Sequence, residues 1–367
     1  MIDTRTDWLK KLEQISAFFQ AYGLSATLRD AVYVERLAGQ AKFRDADAFN
    51  IANSDPHNDM IAEAVRALQN RMPTAAIQNL IGELTSRKTY GAFCELLAYK
   101  WLGDAGVDFT AQVAMTSAEV LNKNGSTIDG KMTLANGKTV CFDVKGFGFV
   151  AHKIKILQER LEKEFPGKSV LIEGAWNVSI DALQDLLDYT GFSTLVQDLR
   201  NSALVKRDPL TFRIQDRRPV TVSVHENNPL KLAEENREYP LRFASQYTRQ
   251  GPFLLVLVIH PWFSQGELHQ NFAQFVDVFT KELSRLAFQS FQNDAAPVEG
   301  LPRAEAAKLL SGLVFLNGWP ATGTDAPRPR PFCRIFLNSL AAHRLVREDF
   351  ASFEAAFPND ITVEEIP

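Results

Sequence analysis

Cysteine is scarce in this chain: Cys94, Cys141 and Cys333 are the whole complement, odd in number and far apart. Such spacing offers neither a disulfide framework nor a zinc-ligand pattern, and it fits a reducing compartment. The 6 histidines show no ligand spacing on one helix face, which disfavours a His-based metal centre or a His general base. No apolar run approaches the roughly 20 residues of a membrane span, and Met1 to Asp7 carry no signal-peptide pattern, so a cytoplasmic location is expected. Charge of one sign is also missing. A net charge of −4 gives no global attraction to nucleic acid, so any such binding must come from a local basic surface or a cation. Internal repeats and low-complexity segments are lacking as well.

What the chain does have is enough apolar residue, 46% of 367, to bury a large core. Residues 1–75 read as a helical subdomain, with Trp8, Leu12, Ile15, Phe19 and Tyr22 on one stripe and a second helix over Ser25 to Phe43. Residues 76–350 read as one α/β domain with an extended mixed sheet, and 351–367 as a tail. Within the domain the pattern predicts a helix near 78–102 and strands near 107–114, 126–134 and 139–146. A helix near 152–165 and a strand near 168–173 follow, then a helix near 180–199. Further strands are expected at 220–224, 253–260, 312–315 and 332–337, and a long helix near 270–292. Phe253 to Ile259 is continuously apolar, as in a strand covered on both faces.

The sharpest signal lies between Glu95 and Lys145. Two apolar runs flank Ala135-Asn136-Gly137-Lys138, a hairpin signature. A three-residue loop with Gly137 in the left-handed conformation pairs Leu134 with Lys138 and sets Asp129 opposite Asp143. One face then collects Ile128, Gly130, Met132, Leu134, Val140, Phe142 and Val144, and the other Asp129, Lys131, Cys141, Asp143 and Lys145. A two-residue loop would slip the register and place Asp129 among the apolar set.

Carboxylates opposed across a strand pair are about 5 Å apart at Cβ, close enough to share a cation. Without one they repel. Mg²⁺ (or Mn²⁺) takes oxygen ligands and keeps waters, so Asp129, Asp143 and the Val144 carbonyl suit it. Lys145 shares that face and is placed to hold an attacking water or to neutralise phosphate charge. Glu95 sits in a helix apolar around most of its circumference, where a carboxylate needs a partner, and the cation would supply it. The chemistry expected is phosphodiester hydrolysis.

These residues and the order helix, three strands, helix, strand resemble the PD-(D/E)XK nuclease superfamily, over about 100 residues. The resemblance implies a restriction-endonuclease-like αβββαβ core. It also implies Asp129 and Asp143 as metal ligands, Lys145 as catalytic lysine and Glu95 as the helical acid beside them. Ile128 stands where the signature proline would. Gln158 follows the motif, but Glu162 occupies the place of the exonuclease-type tyrosine, which argues against that branch.

Lys131, His152, Lys153 and Lys155 are candidates for substrate phosphate. Between Leu195 and Gln250 ten Lys/Arg stand against seven Asp/Glu, a second candidate cleft, joined by Arg328, Arg330 and Arg334. The expected activity is a metal-dependent endonuclease on double-stranded DNA, in restriction, antiviral defence or repair, acting as a homodimer or beside a separately encoded partner and without a membrane. An RNA or single-strand nuclease is the alternative, with Phe147 and Phe149 as stacking candidates. A non-catalytic nucleic-acid or protein-binding module on the same fold is the other.

Overall fold

In a computed structural model the described residues are 55–84, 89–147, 150–174, 180–208, 210–216, 228–260, 272–318 and 332–367. The expected helices within 1–54, the expected strand at 220–224, and Phe149, Arg328 and Arg330 lie outside them. Helices α1 (Asp55–Leu68), α2 (Thr74–Glu83) and α3 (Thr89–Asp104) precede strands β1 (Asp108–Met115), β2 (Ser126–Thr133) and β3 (Thr139–Gly146). Next come α4 (Val150–Glu164), β4 (Lys168–Gly174), α5 (Ile180–Leu187), α6 (Tyr189–Asn201), β5 (Leu204–Arg207) and β6 (Leu210–Asp216). The chain continues through α7 (Pro229–Glu235), a 3-10 turn (Pro240–Gln246), β7 (Phe253–Ile259) and α8 (Phe272–Gln289). A short ladder, β8 (Pro297–Val298) and β9 (Leu301–Pro302), leads to α9 (Arg303–Leu309), β10 (Gly312–Asn317), β11 (Cys333–Asn338), a 3-10 turn (Arg347–Phe350), α10 (Ala351–Ala356) and β12 (Ile361–Ile366).

The fold is α/β, built on a mixed seven-stranded sheet of order β1-β2-β3-β7-β10-β11-β12. β1, β2 and β3 form an antiparallel meander, β7 joins β3 in parallel, and β10 joins β7 in parallel. Central β7 is buried along its whole length, which its unbroken apolar sequence anticipates. Phe253, Leu255, Leu257 and Ile259 face a core with α4, α8 and α9. Leu254, Val256 and Val258 face the core under α1, α2 and α3.

The expected hairpin register is the observed one. Gly130 pairs with Phe142 and Thr133 with Thr139, Leu134 N–H donates to Lys138 O at 2.9 Å, and Gly137 has φ +82°. The loop is fastened from outside by Asp349, a buried carboxylate that Lys138 Nζ approaches at 2.8 Å and Asn136 Nδ2 also contacts.

Three expectations need correction. The resemblance implies that β4 lies in the same sheet as the hairpin, but it belongs to a separate sheet of order β4-β6-β5. The reason is visible at Val170: its N–H donates to Glu162 Oε1 (3.3 Å) and its carbonyl accepts Gln158 Nε2 (2.9 Å). Side chains from α4 thus occupy the edge that a neighbouring strand would need. β7 takes its place beside β3. Residues 351–367 are not a tail: β12 pairs in parallel with β11 as the last strand of the large sheet. Its Glu364 and Glu365 are engaged by Lys281 and Arg344 at the edge, so the acidic composition conceals a strand. Finally, α1, which falls within the expected 1–75 subdomain, shares one core with β1, β2 and β3 through Met60, Ile61, Val65 and Leu68.

No helix among the described residues is long and apolar enough to cross a membrane. All three cysteines are buried and unpaired by disulfides.

Candidate functional site

β2 and β3 stop pairing at Gly130 and Phe142, one residue short of the two aspartates. Beyond that point a side chain replaces the ladder: Asp129 Oδ2 accepts the Val144 N–H at 2.7 Å. The Asp129 carboxylate therefore lies edge-on in the opening between the strands, rather than standing on one face as the alternation predicts. Ile128 is displaced with it. It packs with Cys141, Leu255 and Leu257, whereas Phe142 and Val144 pack under α3, so Ile128 does not share their face as expected.

The cause sits across the ladder on β1. Gln112 has φ +52°, the left-handed region that a non-glycine residue seldom adopts. Before it, Phe109 and Ala111 face the α3 side; after it, Val113 and Met115 pack on the opposite side. The twist turns Gln112 toward α3, where its Nε2 donates to Glu95 Oε2 at 2.9 Å and lies 3.4 Å from both Asp129 Oδ1 and the Tyr99 hydroxyl. Tyr99 Oη in turn donates to the Asp129 carbonyl at 2.9 Å. Strained backbone at such a position marks a place where surrounding structure enforces a geometry. Sequence reasoning misses both Gln112 and Tyr99, and a glutamine on an exposed strand carries no signal there.

Asp143 lies on β3 at 0% exposure. Lys145 Nζ approaches its Oδ2 to 2.5 Å, but outside hydrogen-bonding angles, so neither Asp143 oxygen accepts a hydrogen bond. On its other side the Lys145 ammonium lies 5.4 Å from the centre of the Phe243 ring. Phe243 belongs to a strap that runs over this face: Tyr239 Oη donates to Gly146 O (3.1 Å), and Leu121 N–H donates to Tyr247 O (3.2 Å). Asp143 lies close enough to the strap that its charge joins burial in pushing the Tyr247 phenol pKa up.

Glu95, Asp129, Asp143 and Lys145 are thus brought into one electrostatic neighbourhood. The Asp129 carboxyl is held well above its usual range, first by burial and then by Asp143 and Glu95; Lys145 and the Val144 N–H oppose the shift. Tyr99 is raised by burial, and then by Asp129, Glu95 and Asp143. Along β3, Cys141 N–H and Phe147 N–H bond toward β7, so the alternation directs the Val144 carbonyl to the opening on the β2 side. Among the described residues no group of three or more His, Cys, Asp or Glu side chains is arranged to hold a metal ion. Two carboxylates remain compatible with a hard cation that keeps its waters, and the unbonded oxygens of Asp143 are the donor set such an ion prefers.

The phosphate candidates divide. Lys131 sits 4.0 Å from Glu119. His152, Lys153 and Lys155 fall on α4, but their side chains lie outside those described. Four of the expected basic residues carry acidic partners: Arg200 pairs with Glu164, Arg207 with Asp198, Arg213 with Glu173 and Arg334 with Asp277. Phe147 is no stacking surface. It is buried against Tyr239 and Phe279. Two histidines that spacing could not connect, His57 and His260, are buried with their Nε2 atoms 2.9 Å apart.

Compared with family models, curated proteins and solved structures, the chain matches none.

Proposed function

We propose that the chain is a metal-dependent endonuclease that hydrolyses DNA phosphodiester bonds, on a PD-(D/E)XK-like core. The observation that carries this reading is Asp143: a fully buried carboxylate without a hydrogen bond, beside a second carboxylate whose pKa is raised by burial and by that proximity. Lys145 Nζ lies 2.5 Å from Oδ2 as an ion pair, yet neither oxygen accepts a hydrogen bond, which leaves lone pairs for a cation. Element order also supports it, since α3 precedes the β1-β2-β3 meander and a strand parallel to β3 follows, here β7 after a long insertion.

Asp129 and Asp143 would hold the cation, with the Val144 carbonyl beside them and Glu95 behind Asp129. When bound, a divalent cation supplies a water of lowered pKa and offsets charge on the phosphate. The chain's own groups do the rest. Val144 N–H fixes one Asp129 oxygen, and the Gln112 amide lies 3.4 Å from the other. Lys145, beside Asp143, would hold the attacking water or stabilise charge building on the phosphate oxygens. The Phe243 ring sets where that ammonium can swing. Cutting both strands of a duplex with one such site per chain calls for two chains, so we propose a homodimer, which a dimeric mass by light scattering would support.

The test is cleavage of supercoiled and linear duplex DNA, single-stranded DNA and RNA in Mg²⁺, Mn²⁺ or EDTA, comparing wild type with Asp143→Ala and Lys145→Ala. Metal-dependent cutting of duplex DNA, lost in both variants, is expected. Cutting that persists in EDTA, or no cutting of any substrate, would overturn the proposal.

A further inference from the structure

A cation held at Asp129 and Asp143 would leave one further pair of neighbouring carboxylates, Glu95 and Asp129, to which a second ion could be drawn. Two-ion sites hold their ions about 3.5–4 Å apart, which here would set Asp129 between an ion on the Asp143 side and one on the Glu95 side. Here the flank between Glu95 and Asp129 is taken by something else. The Gln112 amide nitrogen is 2.9 Å from Glu95 Oε2 and 3.4 Å from both Asp129 Oδ1 and the Tyr99 hydroxyl, so an N–H donor group stands between the two carboxylates. The amide is reached only because the Gln112 backbone is turned to φ +52°.

We infer that Gln112 is a positioning residue that limits the site to a single divalent cation, held at Asp129 and Asp143. Its amide supplies positive polarisation between Glu95 and Asp129 without a net charge, which keeps the two carboxylates close and closes that gap to a second ion. Gln112 itself is exposed on edge strand β1, whereas Asp143 is buried, so a second ion would otherwise have an open route to the Glu95 side. This inference rests on the cation-binding reading of the same site.

Substituting Gln112→Glu keeps the length and shape of the side chain and exchanges two donors for two acceptors. The new carboxylate would then converge on the gap with those of Glu95 and Asp129. The experiment is Mn²⁺ binding by calorimetry and by electron paramagnetic resonance, without substrate, on wild type, Q112E and Asp143→Asn. Wild type should bind one Mn²⁺ per chain and Asp143→Asn none. Q112E should bind two, with spin coupling between neighbouring ions, and its metal-free form should melt at a lower temperature from repulsion among its carboxylates. Two ions in wild type, or one in Q112E, would overturn the role of Gln112 and leave the cation reading standing. No Mn²⁺ in wild type would overturn both. The wild-type count depends on no variant folding.

Discussion

Asp129 Oδ2 and the Val144 N–H lie 2.7 Å apart, a side-chain contact standing where the β2–β3 ladder would otherwise continue. The bond stabilises the anion, but burial, Asp143 and Glu95 outweigh it. Asp129→Asn keeps an acceptor for Val144 and removes the charge. In EDTA it should raise stability by about 1–3 kcal/mol, the scale of an uncompensated buried polar group, read from urea unfolding. Cleavage should be lost. A destabilised, active variant would show that the Asp129 charge is neither a burden nor a ligand.

The same carboxylate sets a pH dependence. Its folded pKa lies above the unfolded value of about 3.8, so the native chain binds more protons than the unfolded chain between the two values. The Asp129 contribution to metal-free stability should therefore be greatest below about pH 4, fall as pH rises toward the raised folded pKa, and level off above it. Saturating Mg²⁺ should reverse that fall, because a cation takes the deprotonated form. Urea midpoints from about pH 4 to 8, with and without Mg²⁺, measure both limbs, and Asp129→Asn should remove most of the difference.

Gly130 allows the two strands to close up immediately before they part. A Cβ there would lie 2.5 Å from the Phe142 ring and 2.7 Å from the Thr110 carbonyl. Gly130→Ala should cost about 1–3 kcal/mol by overpacking and weaken Mn²⁺ binding, since the residue adjoins Asp129. Unchanged unfolding and unchanged Mn²⁺ affinity would contradict the close approach.

Far from the site, Asp349 is buried at 2% exposure and faces the Lys138 ammonium. Lys138→Met leaves that carboxylate without its cation and should cost about 1–3 kcal/mol, measured by urea unfolding. Mn²⁺ binding should stay as in wild type, because the hairpin register is held by the ladder as well as by its loop.

The hairpin register was legible because it is local: Asn136-Gly137 and the flanking alternation fix it within one short stretch of chain. The β7 strand was legible because an unbroken apolar run from Phe253 to Ile259 admits few other readings. What escaped depends on contacts between distant segments. Val170 reads like a core-strand residue, and only Gln158 and Glu162 folding back on its edge divert β4 into a second sheet. The edge-on Asp129 goes with a left-handed backbone at Gln112 across the ladder, which no spacing reports. Three basic residues of 195–250 pair with acids the local balance could not assign to them, Arg200 with Glu164, Arg207 with Asp198 and Arg213 with Glu173.

The neighbour of β3 in the sheet is β7, and the chain between them folds into the β4-β6-β5 sheet and its helices before returning. Joining them closes a loop of about a hundred residues, an entropic toll that grows slowly with length but delays folding. The short ladders β1-β2, β2-β3 and β5-β6 can form early, each within its own stretch of chain. Lys145 and Asp143, seated on the strand that waits for β7, would then acquire their geometry only in the closing step of assembly. A partly folded chain would carry the hairpin and its carboxylates without the arrangement that only the β3–β7 pairing completes.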